Sequence, residues 1–315
     1  MKRGFIFPGQ GSQSVGMSKE FYDNFVLAKQ IFEEANDCLK KDLRKIMFEG
    51  PEDLLTQTEN AQPAVATASV IVLKVLESEL GKSVEGLCDF VAGHSVGEYS
   101  ALCASGVFDF KTTLRLLEVR GKAFAEAGNI NPGAMVAVLG ATSEQIEELI
   151  ARAKFDDEVL QVANDNTVGQ VVLSGNQKSV FKVIEEAAAM NIKKAIRLPV
   201  SGAFHSELMF PAIDTMSNAL EDVVPTSPKV KVIANYTAKC EEVGNIKENL
   251  IKQITGKVRW RETMLKMEQE GCEMFAEIGN GKVLSGMVMR TCPNVKAFTV
   301  NSIETLKEFI MNINN

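Results

Sequence analysis

Gly93-His94-Ser95-Val96-Gly97 fits the pattern Gly-x-Ser-x-Gly, which does chemistry when a strand leads into it and a helix leaves it. The serine then sits on a sharp strand-to-helix turn, and small flanking residues relieve the crowding there. Phe90-Val91-Ala92 is a short apolar run of strand type, and residues 97–104 have helical character. Ser95 would therefore stand at a helix N-terminus, where free backbone N–H groups can hold an oxyanion. A serine hydroxyl also needs a general base. The chain has two histidines, His94 and His205. His94 adjoins Ser95, and neighbours in such a turn point apart. That leaves His205, in Ser201-Gly202-Ala203-Phe204-His205-Ser206, as the base. A lone histidine is more often a hydrogen-bonded structural residue, but here the serine requires a partner. No acid declares itself as a third member. Asp165 and Asp214 stand in no motif, and surface solvation is the expected role of both. A backbone carbonyl could fix the tautomer of His205 instead.

Arg120 is the second chemical signal. On a helix over residues 112–127, Leu117, Arg120, Phe124 and Ala127 share one face, whereas Arg115, Glu118 and Lys122 share another. A cation on the apolar face is costly unless it meets a carboxylate. That carboxylate could belong to a substrate or to a buried ion pair, and spacing alone leaves both open. Near the N-terminus, Pro8-Gly9-Gln10-Gly11 forms a tight turn in which glycines allow close backbone approach. A dinucleotide reading of this turn fails, because Ser14 stands where a third glycine is required.

The elements that must hold these residues follow an α/β rhythm. Residues 4–7 read as a buried strand, residues 21–41 and 61–80 as helices, and residues 90–92 as a second strand. The middle of the chain reads as strand 134–139, helix 143–153, a hairpin of 159–163 with 170–174 across residues 164–169, helix 178–190 and strand 194–200. That order, βαββαβ, is the ferredoxin-like arrangement. Residues 128–133, Gly-Asn-Ile-Asn-Pro-Gly, have the composition of a boundary. We expect an α/β fold in which residues 1–129 and 200–315 form a large discontinuous domain with a parallel sheet, and residues 130–199 a small inserted domain.

Composition sets outer bounds. Hydrophobic residues make up 45% and charged residues 24% of 315, as in an ordinary globular chain with a sizeable core. The net charge of −7 argues against nucleic acid as a partner. Six cysteines without a Cys-x-x-Cys pair, with two histidines, fit neither a zinc site nor an oxidising compartment. The apolar run after Lys2 and Arg3 is too short for a signal peptide, and Thr67, Ser69 and Lys74 interrupt the longest apolar stretch, so no membrane span is expected. The expectation is a cytoplasmic monomer without a metal.

The chain resembles the malonyl-CoA:acyl carrier protein transacylases. The resemblance rests on Phe7-Pro8-Gly9-Gln10-Gly11-Ser12-Gln13, Gln62-Pro63-Ala64, Gly93-His94-Ser95-Val96-Gly97-Glu98-Tyr99-Ser100-Ala101, Arg120-Gly121, Gly169-Gln170-Val171-Val172, the segment ending in His205, and Gly279-Asn280-Gly281-Lys282-Val283-Leu284. It spans essentially the whole chain; Val96 departs from the leucine common in the family, but there only the backbone N–H is used. The resemblance implies an α/β-hydrolase-like large domain with a ferredoxin-like insertion and ping-pong transfer through acyl-Ser95. It further implies His205 as base held by the Gln253 carbonyl, and an oxyanion hole from the Gln10 and Val96 N–H groups. Arg120 would bind the malonyl carboxylate, as suits a planar guanidinium, with Gln62 also at the substrate. In related polyketide acyltransferases a phenylalanine at the position of Phe204 goes with malonyl selection. No cofactor is implied, since coenzyme A and phosphopantetheine are parts of the substrates. The family's carrier proteins are acidic, so an acidic enzyme needs a local basic patch. Lys193 and Lys194 are the first candidates, ahead of Lys252, Lys257, Arg259 and Arg261. A serine thioesterase or esterase would show a triad acid or a His-Gly-Gly-Gly loop, and a non-catalytic relative would have lost Ser95, His205 or Arg120.

Overall fold

Phe5-Ile6-Phe7 is buried on both faces, as expected of the central strand of a parallel sheet. In the computed structural model, which describes residues 1–313, this segment is strand β1 (Lys2–Phe7). It is flanked by β2 (Phe90–Gly93) and β8 (Cys272–Ile278), with β7 (Lys231–Ile233) and β9 (Lys296–Val300) outside them. The order is β7-β2-β1-β8-β9, and every pair is parallel. The register opposes Phe7 to Gly93 and Ala92 to Ile233. The loops after β1, β2 and β7 therefore leave from one carboxyl edge, where open α/β sheets hold ligands.

The helix Thr58–Leu80 is almost wholly buried and packs against the helix Phe110–Ile130. Pro63 cannot donate to the Glu59 carbonyl, and Lys41 Nζ takes that acceptor at 3.1 Å. Gly121 makes the helix crossing close: a Cβ there would lie 2.6 Å from Glu59 Cα and 2.8 Å from Thr58 O. The expected helix over 21–41 is two, Lys19–Asn24 and Val26–Leu39. Phe25 between them is extended (φ −126°, ψ 122°), and its ring stacks on Phe21.

The second sheet is antiparallel, built from β3 (Gly133–Leu139), β4 (Leu160–Thr167), β5 (Gln170–Asn176) and β6 (Lys194–Arg197) in the order β4-β5-β3-β6. With helices Ser143–Ala153 and Gln177–Ala189, this is the βαββαβ arrangement. Alternation along β3 explains its attachment. Val136 and Val138 enter the core beneath these two helices, while Met135 joins the main core beside the parallel sheet.

Three boundaries differ from expectation. The helix carrying Arg120 continues to Ile130, so Gly128 is helical and the linker shrinks to Asn131-Pro132; Gly128 lets Ser201 O approach to 2.7 Å of where a Cβ would be. Strand β6 ends at Arg197 and not at residue 200. The hairpin turn expected over 164–169 is only Val168-Gly169, because β4 runs on to Thr167. That polar run stays in strand form because Val258 covers its edge: Val258 N donates to Ala163 O at 2.8 Å and Asp165 N to Val258 O at 3.0 Å.

Candidate active site

The turn after β2 is held in a conformation that side chains other than glycine rarely adopt. Ser95 has φ 53° and ψ −105°, a strained geometry of the kind stored at functional turns. The glycines around it are required by contact. A Cβ at Gly93 would lie 1.9 Å from the Gly97 backbone, and one at Gly97 would lie 2.1 Å from Phe7 O. A Cβ at Gly9 would lie 2.4 Å from His94 O. The Pro8–Gly11 turn and the serine turn are therefore stacked backbone to backbone. Val96, the first residue of the helix Val96–Ala104, has no intrahelical acceptor for its N–H.

His205 reaches this turn from the segment that follows β6. Its Nε2 lies 2.8 Å from Ser95 Oγ, and its Nδ1 lies 2.7 Å from the Gln253 carbonyl. A carbonyl only accepts, so Nδ1 carries the proton and Nε2 accepts from the serine hydroxyl. Burial, and next the charge of Arg120, hold His205 down at about 3. Gln161 on β4 donates to His205 O at 3.3 Å and Thr255 O at 3.1 Å while accepting from Glu207 N at 3.2 Å.

Arg120 is 1% exposed. Nη1 donates to Gln62 Oε1 at 2.9 Å; Nη2 donates to Gln253 Oε1 at 2.8 Å and to Ser95 Oγ at 3.2 Å. The guanidinium lies 4.1 Å from the centre of the Phe124 ring, and Phe204 packs on that ring at 5.3 Å. Among the described residues no carboxylate forms an ion pair with Arg120, and its Nε and Gln62 Nε2 have no partner. The buried ion pair that spacing left open is therefore not what holds this arginine. A cation fixed by neutral oxygens beside a nucleophile is prepared for an anion.

His94 points away from Ser95: Nε2 donates to Asn166 Oδ1 at 2.8 Å, and its ring meets Trp260 edge-on. Burial lowers its basicity. Asp165 corrects an expectation. It is not solvated surface but 8% exposed, and Arg261 holds both its oxygens at 2.8–3.1 Å. Asn235 was missed by the sequence reading. It follows β7, accepts from Ser95 N at 2.7 Å and donates to Gly93 O at 2.7 Å. Its only sequence signal is a polar residue just past a short buried strand, one residue after its end.

Lys193 and Lys194 are exposed and form no salt bridge among the described residues. The weaker basic candidates are paired: Lys252 with Glu248, Lys257 and Arg259 with Glu262, and Arg261 with Asp165. Among the described residues no group of His, Cys, Asp or Glu could hold a metal ion, and no helix is long and apolar enough to cross a membrane.

Residues 4–307 match the family model described as acyl transferase domain. Over 97% of its length the chain is 42% identical to the malonyl CoA-acyl carrier protein transacylase of Bacillus subtilis, of which it covers 95%. It superposes on the crystal structure of acyl-carrier-protein-S-malonyltransferase from Bartonella henselae with a TM-score of 0.95, at 44% identity and with 100% of each chain covered. A second similar structure is a malonyl-transacylase in complex with its type II PKS acyl-carrier protein, with a TM-score of 0.94, 35% identity, and 99% of this chain and 100% of that one covered.

Proposed function

The chain belongs to the acyl transferase domain family, and from that premise we propose that it moves a malonyl group from malonyl-CoA to the phosphopantetheine thiol of holo-acyl carrier protein, supplying fatty acid synthesis. The observation that carries the malonyl assignment is Arg120, buried, without a carboxylate partner, and 3.2 Å from Ser95 Oγ. A donor bearing a free carboxylate one carbon from its thioester suits that spacing. Phe204, packed on the ring beneath the guanidinium, would crowd a branched α-carbon.

In the first half-reaction Ser95 Oγ attacks the thioester carbonyl carbon while its proton passes to His205 Nε2. The Gln253 carbonyl stabilises the imidazolium through Nδ1–H. The Gln10 and Val96 N–H groups receive the oxyanion, where each donor is worth about 3 kcal/mol. Collapse breaks the carbon–sulfur bond, and His205 returns the proton to the coenzyme A sulfur. In the second half the carrier thiol gives its proton to His205 and attacks malonyl-Ser95; collapse returns that proton to Ser95 Oγ. The malonyl carboxylate also raises the basicity of His205, since it offsets the Arg120 charge that depresses it. Catalysis needs only groups of this one chain, which supports a monomer that meets its carrier transiently through Lys193 and Lys194. Six free cysteines support a cytoplasmic setting.

Initial rates at varied malonyl-CoA and holo-carrier concentrations test the reading. Ping-pong transfer gives parallel double-reciprocal lines; intersecting lines, or thioester hydrolysis matching transfer, would overturn it.

A further inference from the structure

Beneath the serine turn a buried carboxyl group touches the supports of the nucleophile, the base and the arginine. Glu98 is 1% exposed and lies on the helix that Ser95 begins. Its Oε1 accepts from Asn235 N at 3.0 Å, and Asn235 Oδ1 in turn accepts from Ser95 N at 2.7 Å. Its Oε2 accepts from Gln253 Nε2. The same Nε2 donates to Ser95 O at 3.1 Å, while Gln253 Oε1 accepts from Arg120 and the Gln253 carbonyl accepts from His205.

The direction of these bonds is fixed by chemistry. Arg120 can only donate, so Gln253 must turn its oxygen toward it. The planar amide then presents Nε2 to Glu98, which must accept. A carboxylate satisfies both the Asn235 and the Gln253 donors at once. An amide in its place cannot, since it has one oxygen and one NH₂ group. Burial, and next the charge of Glu241, raise the basicity of Glu98, and the hydrogen bonds donated by Asn235 and Gln253 oppose that shift and hold it as the carboxylate. A buried carboxyl is expensive to keep.

We infer that Glu98 is a positioning residue for acyl transfer: by accepting from Asn235 and Gln253 together it locks the Gln253 amide so that its oxygen aims Arg120 at the donor's carboxylate. The inference rests on the malonyl reading and deepens it. Glu98 touches no reacting atom and acts through Gln253. In Glu98→Gln, keeping the Asn235 bond forces the Gln253 amide to invert, and its NH₂ then opposes the guanidinium. Glu98→Asp keeps the charge but is one methylene too short to bridge both donors.

The test measures Ser95 acylation by malonyl-CoA and by acetyl-CoA in wild type and both variants, with thermal unfolding alongside. Both variants should lose about tenfold or more in malonyl kcat/KM with a raised KM, and their preference for malonyl over acetyl should fall. A role through charge alone predicts the opposite sign for Glu98→Gln, because removing a nearby negative charge strengthens the pull of Arg120 on a carboxylate. A preference that rises or holds in Glu98→Gln, or holds in Glu98→Asp, overturns the inference, as does lowered thermal stability with unchanged kinetics. Wild type that fails to malonylate would instead sink the underlying reading of function. Should the variants not fold, amide exchange in ¹⁵N-glutamine-labelled wild type decides: slow exchange of the Gln253 side-chain amide supports the lock, and rapid exchange overturns it.

Discussion

His205 is held neutral by what surrounds it, and this gives the reaction a particular pH signature. Burial and the Arg120 charge depress it to about 3 from its ordinary 6.5. A base whose basicity is lowered is already unprotonated across neutral pH, so free enzyme should show no His205 acid limb in kcat/KM between about pH 5 and 8. Once malonyl offsets Arg120, the acid limb of kcat should lie at higher pH than that of kcat/KM. A kcat/KM limb near the ordinary histidine value would contradict this electrostatic account. Replacing His205 by Ala should cost the ~10²–10⁴-fold typical of a general acid–base group, read as the rate of Ser95 acylation. Ser95, His205 and Arg120 were legible in the sequence because motif, scarcity of histidine and helical phase each single out one residue. Asn235, Gln161 and Glu98 were not, because each is an ordinary polar residue whose partners lie far off in the chain. Asp165 was misread for the same reason, its Arg261 partner being 96 residues away.

At the scale of elements, the site depends on close backbone approach, and glycines set it. Gly121 lets the arginine helix touch the start of the helix Thr58–Leu80, so that Arg120 reaches Gln62 at 2.9 Å. Gly121→Val should destabilise by about 1–3 kcal/mol through overpacking and raise the KM for malonyl-CoA. Acylation by acetyl-CoA should change much less, because the uncharged donor does not need the clamp. Equal losses for both donors would mean that the helix contact serves folding alone. Strand and helix types were legible from hydrophobic period, as in β1 and the helix Ser143–Ala153. The hairpin was legible too, but the reach of its first strand was not. Its Asn-Asp-Asn-Thr run carries the composition of a turn, and pairing with Val258, far along the chain, overrides that preference.

At the scale of the molecule, the antiparallel sheet has its own core on one face and joins the main core on the other. The back face of β3 and the bonding of β4 with Val258 join the antiparallel sheet to the rest of the chain, and Gln161 carries that join to His205. This connection could not be read from the chain, because alternation shows that a strand has two faces and not what covers the second. The exposed Lys193 and Lys194 stand at the start of β6 in the antiparallel sheet. Reversing both to Glu should slow transfer to an acidic carrier by about tenfold and flatten its salt dependence, while malonyl-CoA acylates Ser95 unimpaired. Loss in both half-reactions would place the docking surface elsewhere. The central claim is that Ser95 takes a malonyl group and passes it on, and intact-protein mass spectrometry after brief mixing tests it most directly. Malonyl-CoA should leave a single malonyl adduct that Ser95→Ala abolishes and holo-carrier protein removes, with little labelling by acetyl-CoA. Preferred labelling by acetyl-CoA, or steady release of coenzyme A without an adduct, would contradict the account.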